Sequence, residues 1–294
     1  MNTPANAAIR PMYWSVRREL WENRSIYLAP LIAAAVALFG FLINAMTLPR
    51  RMSSILALDP AAQGQAVARP YSFVAALLIA TAFLVGVFYC LDALHGERRD
   101  RSILFWKSLP VSDLTTVLSK ASIPLVVLPI LIFAVILITQ MILLMLSTAV
   151  LLVSGSGVAM LWARLPLFAM PLGLIYSLAV IALWHAPIYG WLLLVSGWAR
   201  RATFLWAVLP PLAIGVFERI AFRTSYIGSL LRYRLIGWFT QGFDFKTRGT
   251  APIDPLSQLT PGKFLSTPGL WIGLVFAAIF LAVTVRLRRY REPI

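Results

Sequence analysis

All five residues after Gly96 could steer a partner by charge of either sign: Glu97-Arg98-Arg99-Asp100-Arg101 is a run of five charges. After Ser102 comes an apolar block, Ile103-Leu104-Phe105-Trp106, and Ser108-Leu109-Pro110 closes it, because the residue before proline disfavours the helical region. Ser112 can cap a new helix, with Asp113 favourable in its first turn. The expected layout is a charged turn, a short helix along the membrane surface, a break, and a capped helix. Charge beside an apolar face suits docking, where interfacial charges tune encounter and specificity. On the residues alone two readings stand: a mechanical handle for a partner, or a solvated basic loop.

Other chemistries find less support. A phosphate-cradling loop needs G-x-x-x-x-G-K-[ST], and Gly262-Lys263 is followed by Phe264 with no upstream glycine at the right spacing. No LSGGQ-like stretch occurs. Of the two histidines, His95 lies near Asp92, and His185 sits in an apolar run beside Trp184, where a bond to a neighbouring carbonyl is the expected role. No Cys, His, Asp and Glu set has metal-ligand spacing. Cys90 is alone and reads as a small packing residue. An intramembrane enzyme or an ion-coupled carrier is the alternative class, but the longest apolar runs hold no acidic residue. Glu218 and Arg219 read most simply as an interfacial pair.

These residues sit in a chain built for lipid. Of its 294 residues 60% are apolar and 13% charged, and the mean hydropathy is +0.82. A spanning helix needs roughly 20 mostly apolar residues. Six runs qualify: Tyr27–Met46, Tyr71–Leu91, Ala121–Val153, Leu165–Ser196, Thr203–Phe217 and Gly269–Val285. Pro171 and Pro187 are expected to break the fourth, and Pro210 and Pro211 lie within the fifth. The fold class is therefore an all-α polytopic membrane protein with six transmembrane helices. The net charge of +15 reads as anchoring to anionic lipid rather than nucleic-acid binding, for which no soluble basic domain is present.

Six spans put both termini on one side. That side carries Arg10, Arg17, Arg18 and Arg24, the basic residues of the Glu97 loop with Lys120, then Arg200, Arg201 and the C-terminal arginines. The bias over the other side is modest and favours cytoplasmic termini. Ahead of the first span, Arg10, Arg17 and Arg24 recur every seven residues, as do Trp14 and Trp21. An amphipathic interfacial helix over residues 8–25, begun by Pro11, follows from that spacing; a plain charged lead-in is the alternative. In the external segment 218–268, Ile227, Leu230, Leu231, Leu235 and Trp238 recur at helical spacing. They suit a helix lying in or dipping back from the outer interface, or a packed cap on the bundle. Among the spans the main polar groups are Asn44, Thr81, Thr139, Gln140 and Ser177, so a hydrophobic or amphipathic cargo would suit this interior better than a hydrophilic polymer.

The pattern E-R-R-D-x-S-I-L-F-W-K-S-L-P-V-S-D, followed by Lys120, resembles the loop of type-2 ATP-binding-cassette (ABC) transporter permeases. That family reads as an acidic-basic turn, a Gly- or Ser-led helix, Leu-Pro-Val-Ser and a lysine at the next span. Glu97, Arg98, Ser102, Leu109, Pro110, Val111, Ser112 and Lys120 fill those places. The resemblance implies one permease domain over residues 1–294, with a cytoplasmic coupling helix inside the 92–120 loop. Its contacts to an ABC ATPase subunit would come from Glu97, Arg98, Arg99, Asp100, Ser102, Ile103, Phe105, Trp106, Lys107 and Ser108, with a second contact at Arg200 and Arg201. It further implies no cofactor in this chain, ATP and Mg bound by the partner ATPase, a second permease copy as homodimer or heterodimer, and the bacterial cytoplasmic (inner) membrane. The proline-rich fourth and fifth spans depart from the family pattern.

Overall fold

The computed structural model describes residues 4–102, 111–155, 158–243 and 255–290. The chain is all-α, and six helices among the described residues are long and apolar enough to cross a membrane. It is a multi-pass membrane protein. In chain order the helices are α1 (Pro4–Glu22), α2 (Ser25–Ala45), α3 (Leu48–Leu56), α4 (Pro60–Asp92), α5 (His95–Arg99), α6 (Asp113–Ser122), α7 (Leu128–Val153), α8 (Val158–Arg164), α9 (Ala169–Trp198), α10 (Thr203–Phe222), α11 (Tyr226–Gly242), α12 (Pro261–Ser266) and α13 (Pro268–Tyr290). A π-helical segment, Ile123–Val127, joins α6 to α7, with Pro124 inside it. The spans are α2, α4, α6–α7, α9, α10 and α13.

Span four is the centre of the bundle. Trp184 and Leu193 on α9 are fully buried, and the largest helix–helix contact is α9 on α13. Gly190 permits that approach: a Cβ there would lie 3.3 Å from the Ala277 carbonyl oxygen. Span five is peripheral and buries only Ala207 and Glu218.

The structure corrects several sequence expectations. The proline breaks do not occur: α9 runs through Pro171 and Pro187, and α10 through Pro210 and Pro211. A proline ring deprives the carbonyl four residues earlier of its helical donor. For Pro211 that carbonyl belongs to Ala207, and the Trp191 indole Nε1 donates to it at 3.1 Å. A neighbouring helix thus satisfies the freed group, as lipid-embedded backbone requires. Pro11 does not begin the first helix. Pro4 lies at its start, and Pro11 falls inside, where its missing amide removes a single helical bond. The charged run is no turn, because Glu97 to Arg99 lie on α5, and the chain turns only after them at Arg101, with φ +57°.

The expected helix in the 218–268 segment exists as α11. Leu230, Leu231 and Leu235 are exposed. Tyr233, Gly237, Trp238 and Gly242 face the bundle instead. Trp184 of α9 donates its indole N–H to the Tyr233 carbonyl at 3.3 Å, and their rings meet edge to face at 5.1 Å. Glycines make this possible: a Cβ on Gly237 would meet Trp184 at 3.0 Å, and one on Gly242 would meet Val180 at 2.9 Å. Because Trp184 and His185 lie midway along α9, α11 packs deep against the bundle rather than covering its end. Glu218 is not paired with Arg219 among the described residues. Its carboxylate accepts the backbone N–H groups of Tyr226 and Ile227 and the Thr224 hydroxyl, and so caps the start of α11.

Candidate functional site

The two termini of the bundle, the root of the 92–120 connection and the start of span three meet at one end. Ser112 begins α6 as its sequence predicts, its hydroxyl accepting the Thr115 N–H at 3.1 Å. Directly after it α6 presents Asp113, and about two turns further on Lys120. α1 presents Arg18 and Glu19, α4 ends with Tyr89 near the site, α5 supplies Glu97 and Arg98, and α13 supplies Arg288.

Lys120 is the hub. Its Nζ lies 2.9 Å from a Glu19 carboxylate oxygen and 3.1 Å from Glu97, and its side chain is 2% exposed. Arg18 bridges the same two acids, at 2.6 Å to Glu19 and 3.0 Å to Glu97. Tyr89 donates its hydroxyl to the second Glu19 oxygen at 2.8 Å. Arg288 reaches the other Glu97 oxygen at 3.5 Å and Asp113 at 3.4 Å. Arg18, Lys120 and Arg288 thus balance Glu19, Glu97 and Asp113. Balance matters here, since a buried ion pair broken on one side leaves an uncompensated charge and costs about 3–5 kcal/mol.

Burial by itself would raise the Glu19 carboxyl. The Lys120 and Arg18 charges and their hydrogen bonds outweigh it and hold Glu19 below the usual carboxylate range. Glu22, one turn along and half exposed, goes the other way, raised by burial.

A second set of bonds joins this cluster to span four. The Ser196 hydroxyl oxygen accepts the backbone N–H groups of both Leu94 and His95 at 3.0 Å. Arg98 donates to the carbonyls of Gly197 at 2.9 Å and Ala199 at 3.3 Å, where a cation is favourable at a helix C-terminus. His95 Nδ1 also lies 3.3 Å from the Ala199 oxygen. The chain then turns through Ala202, at φ +50°, into span five.

The residues named from the sequence separate into two groups. Glu97 and Arg98 are buried and engaged inside the bundle. Arg99 and Asp100 point outward, with side chains 59% and 62% exposed, and pair with each other at 3.0 Å. Ser102 donates to the Glu97 carbonyl at 3.4 Å. Arg200 and Arg201 are exposed on the turn that begins at Ala199, whose carbonyl accepts from Arg98, so they adjoin the described part of the first contact region. Ile103, Phe105, Trp106, Lys107 and Ser108 lie outside the described residues. On α1, Arg17 stacks over Trp14 at 5.2 Å and Trp21 at 4.6 Å, and both rings are exposed, while Glu19 faces the bundle.

Sequence reading missed Glu19, Asp113 as an ion-pair partner, Ser196 and Arg288. A signal was present for the acids: a chain with 26 basic and only 11 acidic residues has few counterions to place against buried cations. His185 takes the role expected of it, with Nδ1 2.9 Å from the Ile181 carbonyl oxygen. The chain matches no protein-family model, no curated protein and no solved structure.

Proposed function

We propose that this chain is the membrane-spanning permease subunit of a type-2 ABC exporter in the bacterial cytoplasmic membrane, with both termini inside the cell. A separate ATPase subunit binds ATP and Mg and engages the exposed side of the 92–120 connection, from Arg99 and Asp100 into the coupling helix, with Arg200 and Arg201 as a second contact. Two permease copies work together on a pair of ATPases. ATP binding closes the ATPases and pushes on this connection; the bundle tilts and opens the interface between permease copies outward to a hydrophobic or amphipathic cargo.

One observation supports this reading above the rest. The connection is not tethered by its backbone alone. Glu97 and Arg98, at its first root, and Asp113 and Lys120, at its second, are bonded into α1, α9 and α13. A push on the intervening segment is therefore delivered to a rigid base shared by four spans and the N-terminal helix. A solvated loop needs no such base. Within the bundle Glu97 and Arg98 act as positioning residues, and direct contact with the ATPase falls to the exposed Arg99, Asp100 and the residues that follow.

Purification of the chain from its native membrane under mild detergent tests the proposal. A P-loop ATPase is expected to co-purify, and Arg99→Glu with Asp100→Lys is expected to release it while the permease stays folded. Purification with no ATPase, or retention undiminished by the double charge reversal, contradicts the proposal.

A further inference from the structure

A pocket of about 570 Å³ lies between spans two, three and four and α11, on the side of the bundle away from the ion cluster. Small-molecule sites span roughly 300–1,000 Å³. Its shape follows from its walls. α4 contributes Ser72, Ala76, Ala80 and Phe83 on one face, a stretch of roughly 16 Å at 1.5 Å per residue. α9 runs alongside in the same direction and contributes Gly173, Ser177 and His185. The result is a groove parallel to the helices, kept open by small side chains.

The two ends of the groove differ. Away from the cluster stand Ser72, Gln140 and Gln258, all uncharged. The Ser72 hydroxyl donates to the Ala68 carbonyl and the Gln140 amide nitrogen to the Tyr71 carbonyl, which leaves their oxygens able to accept. At the other end Phe83 meets His185 at 5.0 Å with the rings tilted by 56°, and the His185 ring nitrogens face the backbone oxygens of Ile181 and Leu235 rather than the groove. Among the described residues no Asp, Glu, Lys or Arg lines the pocket. An ionic head would be taken from water without a counterion, which is costly, whereas a hydroxyl finds acceptors.

We propose that this groove binds an uncharged single-chain amphiphile, its hydroxyl head at Ser72, Gln140 and Gln258 and its chain lying along α4 and α9 toward His185. Binding here requires no ATPase and stands apart from the transport proposal.

The test is photolabelling of the protein in phosphatidylcholine nanodiscs with a hexadecanol that carries a diazirine and an alkyne, mapped by mass spectrometry. Saturable labelling is expected on peptides covering 72–83 and 169–185, with hexadecanol competing and hexadecanoate or hexadecyltrimethylammonium about tenfold weaker or worse. Gly173→Leu is expected to abolish it. A Cβ on Gly173 meets no atom within 4 Å, so the leucine enters the groove without disturbing the fold. Gly40→Leu in span one, where the space is equally open, is the matched control and is expected to label normally. Labelling that never saturates and spreads over every span would mean ordinary bilayer solvation. That result, equal competition by the charged chains, or full labelling of a folded Gly173→Leu protein overturns the proposal.

Discussion

Lys120 and Glu19 are 101 residues apart in the chain, yet their side chains meet at 2.9 Å with 2% and 0% exposure. The contact fastens the N-terminal helix to the first turns of span three. It also packs the Glu19 side of α1 onto the bundle, while Trp14 and Trp21 stay exposed.

The first prediction concerns that pair. Lys120→Met leaves Glu19 and Glu97 buried with one cation fewer, and Glu19→Gln leaves Lys120 undercompensated. Each is expected to destabilise the protein by about 3–5 kcal/mol, and the double variant to recover part of the loss. Thermal unfolding in detergent measures it. Strict additivity of the two losses would mean that the pair carries no coupling.

The pH dependence has a definite sign. Glu19 is held below its ordinary value of 4.5 in the folded protein. Its contribution is therefore fully present above about 4.5 and is lost as the pH falls through the lower folded value. Glu22 is raised and opposes this weakly, because it is half exposed. The groups facing Glu19 are Arg18, Lys120 and Tyr89, with Glu97 and Glu22 close by. The unfolding midpoint of the native protein is expected to fall on acidification below 4.5, and its advantage over Glu19→Gln to shrink. An advantage that stays constant to pH 3 or grows would contradict this.

The six spans were legible because each is a long apolar run, and the start of α6 was legible because Ser112 announces it. The ion cluster was legible only in half. Glu97, Arg98 and Lys120 stand in one segment, but their partners Glu19, Gly197 and Arg288 come from remote helices that packing alone brings together. For α11 the apolar stripe gave the helix but not the glycines that pack it on the bundle. In a membrane protein leucines gain nothing by turning inward, since lipid is as apolar as the core, and close approach falls to glycines such as Gly237 and Gly242.

Ser196 is expected to matter beyond its size. Its hydroxyl oxygen accepts two backbone N–H groups, at Leu94 and His95. Ser196→Ala removes this acceptor, at about 1–3 kcal/mol for the buried Leu94 donor and less for the part-buried His95 donor. Hydrogen exchange at Leu94 and His95 is expected to accelerate markedly while exchange in the middle of α9 is unchanged. Unaltered protection at both amides would mean that water replaces the serine without loss.

The central claim is that force from an ATPase enters through the connection between spans two and three. Lys107 lies in the middle of that connection, so amine-reactive cross-linking of native membranes, read by mass spectrometry, tests the claim directly. Links from Lys107 to a P-loop ATPase, which grow or shift when ATP is added, are the predicted result. Modification of Lys107 by a membrane-impermeant amine reagent applied to intact cells would place the connection outside and contradict the account.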